Sequence, residues 1–200
     1  KSKGSVGTAG VADEDALDGA GFANQTRVNA ARALESWLAT DPTGSGAPGV
    51  LVLGDLNAYA REEPIAYLEA AGFVNLAERF LGAGAYSFVF DGQSGTLDYA
   101  LATPSLLSQI SGTGEWHINA DEPSVIDYNT EFKPQDLYVA SPYRSSDHDP
   151  VVVGLSLVKS IAGTNGRDTL VGTAGDDVLV GGQGADTITG SAGRDLFVYN

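Results

Sequence analysis

Between residues 163 and 198 the chain repeats itself every nine residues, and no other feature limits its possible folds as tightly. The blocks 163–171, 172–180, 181–189 and 190–198 share the pattern Gly-x-x-Gly-x-Asp-x-apolar-x. Asp168, Asp177, Asp186 and Asp195 hold the sixth place, and Leu170, Leu179, Ile188 and Phe197 the eighth. Glycines at two of nine positions permit tight turns, and one large apolar side chain per block fills only a thin core. The regularly spaced carboxylates fall at the turns, where calcium can join successive coils through carboxylate and carbonyl oxygens. A metal-free, turn-rich linker is the competing interpretation, but four units in register leave little room for chance.

A second stretch organises the rest of the chain. Val50-Leu51-Val52-Leu53 is a short apolar run entered through Pro48-Gly49, and it ends on Gly54-Asp55-Leu56-Asn57. It reads as a fully buried strand running out into a functional edge. Strand alternation would place Asp55 and Asn57 on one face with Leu56 turned inward, so that a carboxylate and a carboxamide sit side by side. That pair suits phosphate-ester hydrolysis: the acid orients a water or holds a cation, and the amide donates to a phosphoryl oxygen. An Asx turn closing the strand explains the same residues, and the pair alone does not decide between the two.

Residues 4–21 read as a surface loop. Val28, Ala31, Leu34, Trp37 and Leu38 recur at helical spacing between a cap at Asn24 and a stop at Asp41-Pro42, with Arg27 and Arg32 on a solvated face. A short covering helix follows from Glu63-Pro64 to Gly72. Residues 86–90, a turn at Asp91-Gly92 and residues 96–102 read as strand, turn and strand. Asp98 is the odd member of that run, costly there unless it is paired or lies at an open edge. Residues 115–118 form another strand candidate, with His117 taken as a satisfied structural histidine. Residues 119–143 are a long acidic connection. Asp147 and His148 stand together at the mouth of the apolar run 151–158, where one can bind metal and the other act on a proton or a phosphate.

Composition excludes some partners. With 42% hydrophobic residues a core is available, while a net charge of −15 argues against a generally basic nucleic-acid surface and against anionic membranes. It leaves phosphate substrates open, since divalent cations reverse the local field where acids cluster. The absence of cysteine removes disulfide and thiol chemistry, no run is long enough to span a bilayer, and no stable protein partner is evident. Met is absent throughout, which points to a fragment or processed form.

Gly-Asp-Leu-Asn at 54–57, Thr-Leu-Asp at 96–98 and Ser-Asp-His-Asp-Pro-Val at 146–151, taken in that order, resemble the endonuclease/exonuclease/phosphatase superfamily. Residues 1–5 and 90–98 are closer still to its secreted bacterial nucleases. The resemblance covers residues 1–158 and implies an α+β fold, the second half of a DNase I-like sandwich, followed by a linker at 159–162. By the same resemblance Asp55 activates or orients water and Asn57 contacts the scissile phosphate. Asp98 orients His148, which contacts the phosphate and transfers protons, while Asp147 and Asp55 hold a magnesium or manganese ion.

The family's metal-binding Glu and second His have no counterpart here, so the chain is expected to begin mid-domain, to expose apolar sheet surface and to be inactive alone. The nonapeptides of 163–200 resemble the calcium-binding parallel β-roll of repeats-in-toxin proteins, in which two units make one coil. This implies calcium at Asp168, Asp177, Asp186 and Asp195 and an extracellular protein exported by a one-step type I route. The resulting expectation is a secreted metal-dependent phosphodiesterase, an extracellular endonuclease with DNA as its first substrate and RNA as a secondary one. A phosphatase or sphingomyelinase of the same superfamily is the alternative enzyme, and a calcium-binding adhesion or surface module is the alternative of another class.

Overall fold

The computed structural model describes residues 4, 7–123, 125–126, 137, 139–156 and 158–199. The segment 1–5 apart from Gly4, and much of the connection 119–143, therefore lie outside the described residues. The chain forms two compact units, Lys1–Gly154 and Leu155–Asn200, dividing slightly before the boundary expected at 158.

The first unit is mixed α and β. The expected loop at 4–21 contains a 3-10 turn, Gly10–Asp13, that buries Asp13 against the start of helix α1 (Asn24–Leu38). Thr26 donates both its amide and its hydroxyl to the Asp13 carboxylate, at 2.7 and 2.5 Å. Helix α1 is capped not by Asn24 but by Ala23, whose φ of +61° is left-handed and whose side chain makes no capping bond. Trp37, expected on the inner face, is 58% exposed. Arg27, expected in solvent, is buried.

Strand β1 (Leu51–Asp55) leads to α2 (Glu63–Ala70), entered through Pro64 and left through Gly72 at φ +101°. A short strand, β2 (Val74–Asn75), then feeds helix α3 (Leu76–Leu81), whose amide at Glu78 is capped by the Asn75 side chain. Six residues of helix carry too short a period to be seen in the sequence.

The hairpin expected from 86–102 is smaller than predicted. β3 (Phe88–Phe90) pairs with β4 (Gln93–Gly95), whereas β5 (Asp98–Ala102) crosses to lie antiparallel between β1 and β2. Central placement accounts for β5: Tyr99 and Leu101 pack with Ala31, Ile65 and Leu68 of the helices, and Ala100 and Ala102 pack on the other face with Leu76 and Ile110. The strand expected at 115–118 lies earlier, as β6 (Ile110–Glu115), beside β7 (Val151–Leu155). Val151 and Val153 of β7 pack against the second cluster. Neither β1 nor β7 is fully buried: Val152, 54% exposed, faces away from Val151 and Val153 by strand alternation, whereas Leu53, on the same face as the core-packed Leu51, is left 57% exposed as apolar sheet surface.

In the second unit, residues 159–162 are not a linker but a strand, β8 (Lys159–Ala162), followed by β9 (Thr169–Val171), β10 (Asp177–Val180), β11 (Thr187–Thr189) and β12 (Leu196–Val198). Alternate strands stack in parallel as two sheets, β12-β10-β8 and β11-β9. Leu170 opposes Ile188, and Leu179 lies between Ile161 and Phe197, so the eighth-position side chains form the ladders of the thin core. Two nonapeptides thus make one coil, compatible with a parallel β-roll.

Candidate active site and calcium-binding repeats

The first unit concentrates chemistry where β1, β5 and the loop before β7 meet. Asp55 and Asp98 end their strands directly opposite one another in the β1–β5 register. Like charges so placed repel. His148 answers this: its Nδ1–H donates to Asp98 Oδ2 at 2.6 Å. The hydrogen bond with Asp98 raises the imidazole pKa above its usual 6.5, burial opposes the shift, and the charges of Asp98, Asp147 and Asp55 add to it. Asp55, Asp98 and His148 each offer a ligand atom within 4.8 Å of the others, a group able to hold a metal ion. Asp147 lies apart from that trio, 4.0 Å from His148 Nε2 and half exposed.

Asn57 stands beside Asp55 as expected, but by an Asx turn and not by strand alternation. Its backbone amide donates to Asp55 Oδ1 at 2.7 Å and its Nδ2 to Oδ2 at 2.9 Å. The turn holds Asn57 at φ +52°, a left-handed conformation that asparagine tolerates better than most residues. Arg27 fixes this loop from beneath. Its NH1 donates to Asn57 O and to Glu62 Oε2, and its NH2 to Ala20 O, each at 2.6 Å.

Ser87 and Asp149 complete the support. The Ser87 hydroxyl accepts the amides of Leu97 and Asp98 at 3.0 Å, and its carbonyl accepts the Asp149 amide at 2.8 Å, so one buried residue ties the strand of Asp98 to the loop of His148. The buried Asp149 carboxylate takes the amides of Ile118, Asn119 and Ala120 on Oδ1. His117 Nδ1–H donates to its Oδ2 at 2.7 Å. Burial pushes the Asp149 pKa up, but these bonds outweigh it and hold the group below its ordinary value. His117, stacked on Tyr86 with ring centroids 4.2 Å apart, is the satisfied structural histidine expected, with a partner 32 residues away. The supporting roles of Arg27, Ser87 and Asp149 are not legible in the sequence. A cation inside an apolar helical period and an acid beside the motif histidine were their only signals.

In the second unit two of the repeat carboxylates close their own turns. Asp168 Oδ2 accepts the Thr164 amide at 2.7 Å, and Asp177 Oδ2 that of Thr173 at 2.5 Å. Asp186 and Asp195 reach back to the preceding coil, each accepting an amide eighteen residues earlier, from Asp168 and Asp177 at 2.9 and 3.1 Å. Carboxylates at every turn, two of them reaching across coils, are the oxygen-rich ligands a calcium ion requires.

Residues 162–197 match the family model of the RTX calcium-binding nonapeptide repeat, in four copies. Calcium binding in the second unit follows from that match, and such repeats are typical of secreted bacterial proteins. No curated protein and no solved structure matches the chain. Among the described residues no helix is long and apolar enough to cross a membrane.

Proposed function

We propose that the first unit is the catalytic part of a secreted metal-dependent phosphodiesterase, most simply an endonuclease acting on DNA and RNA. The observation that carries this reading is the 2.6 Å bond between His148 and Asp98, set beside the Asp55–Asn57 pair. With Nδ1–H committed to Asp98, which favours the charged ring, His148 in its protonated form carries an Nε2–H that can donate to a phosphoryl oxygen or to the leaving oxygen. Asp55 orients the attacking water. Asn57 Nδ2 has a second hydrogen beyond the one given to Asp55, and that hydrogen serves the phosphate.

The donor set fits a hard divalent cation. Asp55 is exposed and each of its oxygens accepts one hydrogen bond from Asn57, leaving lone pairs free, whereas Asp98 and His148 are engaged with each other. Asp55 would hold magnesium or manganese, which when bound supplies charge neutralisation at the phosphate, and Asp147, outside the Asp55–Asp98–His148 cluster, would have to move toward Asp55 to share the ion. The DNase I-like sandwich and export by a type I route belong to the same proposal.

Plasmid nicking by the full-length protein, run beside a lipid headgroup-release assay, tests it. Nicking lost in Asp98→Asn and His148→Ala supports the nuclease. Headgroup release with the same dependence favours a sphingomyelinase-type enzyme. The RTX match favours a second reading, a calcium-binding adhesion or surface module, and the absence of any hydrolysis sensitive to these substitutions would select it.

A further inference from the structure

Outward from the His148–Asp98 pair runs a row of flat rings. Phe88 lies 4.6 Å from the His148 ring, and Phe90 6.3 Å from Phe88 at an interplanar angle of 14°. Phe90 is 66% exposed, a large apolar side chain held at the tip of a hairpin without cover. Two clefts meet along this row. One, of about 490 Å³, is lined by Asn57, Tyr59, Phe88, Phe90, Leu97 and His148. The other, of about 550 Å³, shares Tyr59 and Phe90 and adds the polar side chains of Arg61, Asp91 and Gln93. Tyr59 is pressed against β4: a methyl group at Gly95 would stand 2.7 Å from its ring.

We infer that this groove binds an unpaired nucleobase next to the scissile phosphate, stacked on the Phe90–Tyr59 platform. The inference rests on the phosphodiesterase reading and names its substrate class as single-stranded or locally unpaired nucleic acid. A base has an apolar face and an edge carrying both donors and acceptors, and the groove offers aromatic rings beside Arg61, Asp91 and Gln93, which supply both. An acyl chain would use the rings but has nothing to satisfy the polar rim. Bases within a duplex are stacked on their neighbours and cannot present a face to Phe90.

The test is binding, separate from hydrolysis. Phosphorothioate oligonucleotides that resist cleavage, one a single-stranded decamer and one a blunt-ended duplex of two fully complementary strands, are titrated in calcium against the chain and its Phe90→Ala, Phe90→Leu and Phe90→Trp variants, with anisotropy as readout and circular dichroism confirming the fold. Phe90→Ala is expected to weaken single-strand binding about tenfold, as base–aromatic stacking of about 1–3 kcal/mol implies. Phe90→Leu should behave like Phe90→Ala, and Phe90→Trp like the parent. Duplex affinity equal to single-strand affinity, or indifference to Phe90→Ala, would overturn the inference. So would Phe90→Leu binding like the parent, which indicates plain apolar burial, or Phe90-dependent binding of sphingomyelin vesicles. Loss of the nuclease reading shows elsewhere, as the absence of cleavage sensitive to Asp98→Asn.

Discussion

Asp98 is the residue on which the site turns, since it sits opposite another carboxylate and is tolerable there only through His148. Replacing it with Asn should let the His148 pKa fall toward 6.5, because the strongest contribution raising it is removed. A folded-state pKa above the unfolded one adds stability that is fully present below about pH 6.5 and fades as pH rises through the raised value. The stability difference between the parent and Asp98→Asn should therefore be largest in mild acid and shrink toward alkaline pH. Urea unfolding at several pH values, with an NMR titration of the His148 ring, measures both. A gap independent of pH would detach Asp98 from the histidine. If the proposed hydrolysis is catalysed here, the pair should act as a unit in turnover: each single substitution should cost orders of magnitude, and the double variant little more than His148→Ala.

The motif residues Asp55, Asn57, Asp98 and His148 were legible because each breaks its local pattern: an acid inside a strand run, a polar pair at the end of an apolar one. Their supports were not, because they act across long separations, Arg27 on residue 57 and Asp149 on residues 117–120. The nonapeptide tail shows the opposite case. Its turns are local, so the sequence carries them nearly whole, and only β8, which lacks the repeat's glycines, was misjudged.

At the scale of elements, Ser87 joins three segments through one side chain and one carbonyl. Ser87→Ala leaves the buried amide of Leu97 and the part-buried amide of Asp98 without the Ser87 acceptor, and an orphaned buried donor costs about 1–3 kcal/mol. Stability should drop by about 2 kcal/mol or more in denaturant unfolding, and the His148 pKa should move back toward its ordinary value as Asp98 loosens. A stability loss with the histidine titration unmoved would make Ser87 structural only. Arg27→Ala breaks a buried ion pair and releases the Asn57 carbonyl together. The expected loss is about 3–5 kcal/mol, with the Asx turn at residue 57 the first element to become protease-sensitive.

On the scale of the whole molecule, the second unit has a thin core: among its eighth-position residues Leu179 is fully buried and Leu170 nearly so, while Phe197 is 39% exposed. A stack with so little apolar burial depends on what holds its turns. Close backbone approach is one requirement. At Gly193, with φ +106°, a methyl group would come within 2.5 Å of Gly175 O in the preceding coil, so Gly193→Ala should unstack β12. Calcium is the other. Four carboxylates, one per turn, repel one another until cations are shared between coils.

Circular dichroism and limited proteolysis confined to residues 155–200 should therefore show strand signal and protection appearing as calcium rises into the millimolar range typical of extracellular modules. Asp186 separates the metal from the hydrogen bond it accepts. Asp186→Asn keeps an oxygen for the Asp168 amide and removes one repelling charge, so the apo state should be no looser than the parent's while the calcium midpoint shifts upward. Asp186→Ala removes both and should loosen the apo state as well. Equal calcium midpoints for the parent and Asp186→Asn would mean that this carboxylate serves only as a turn cap.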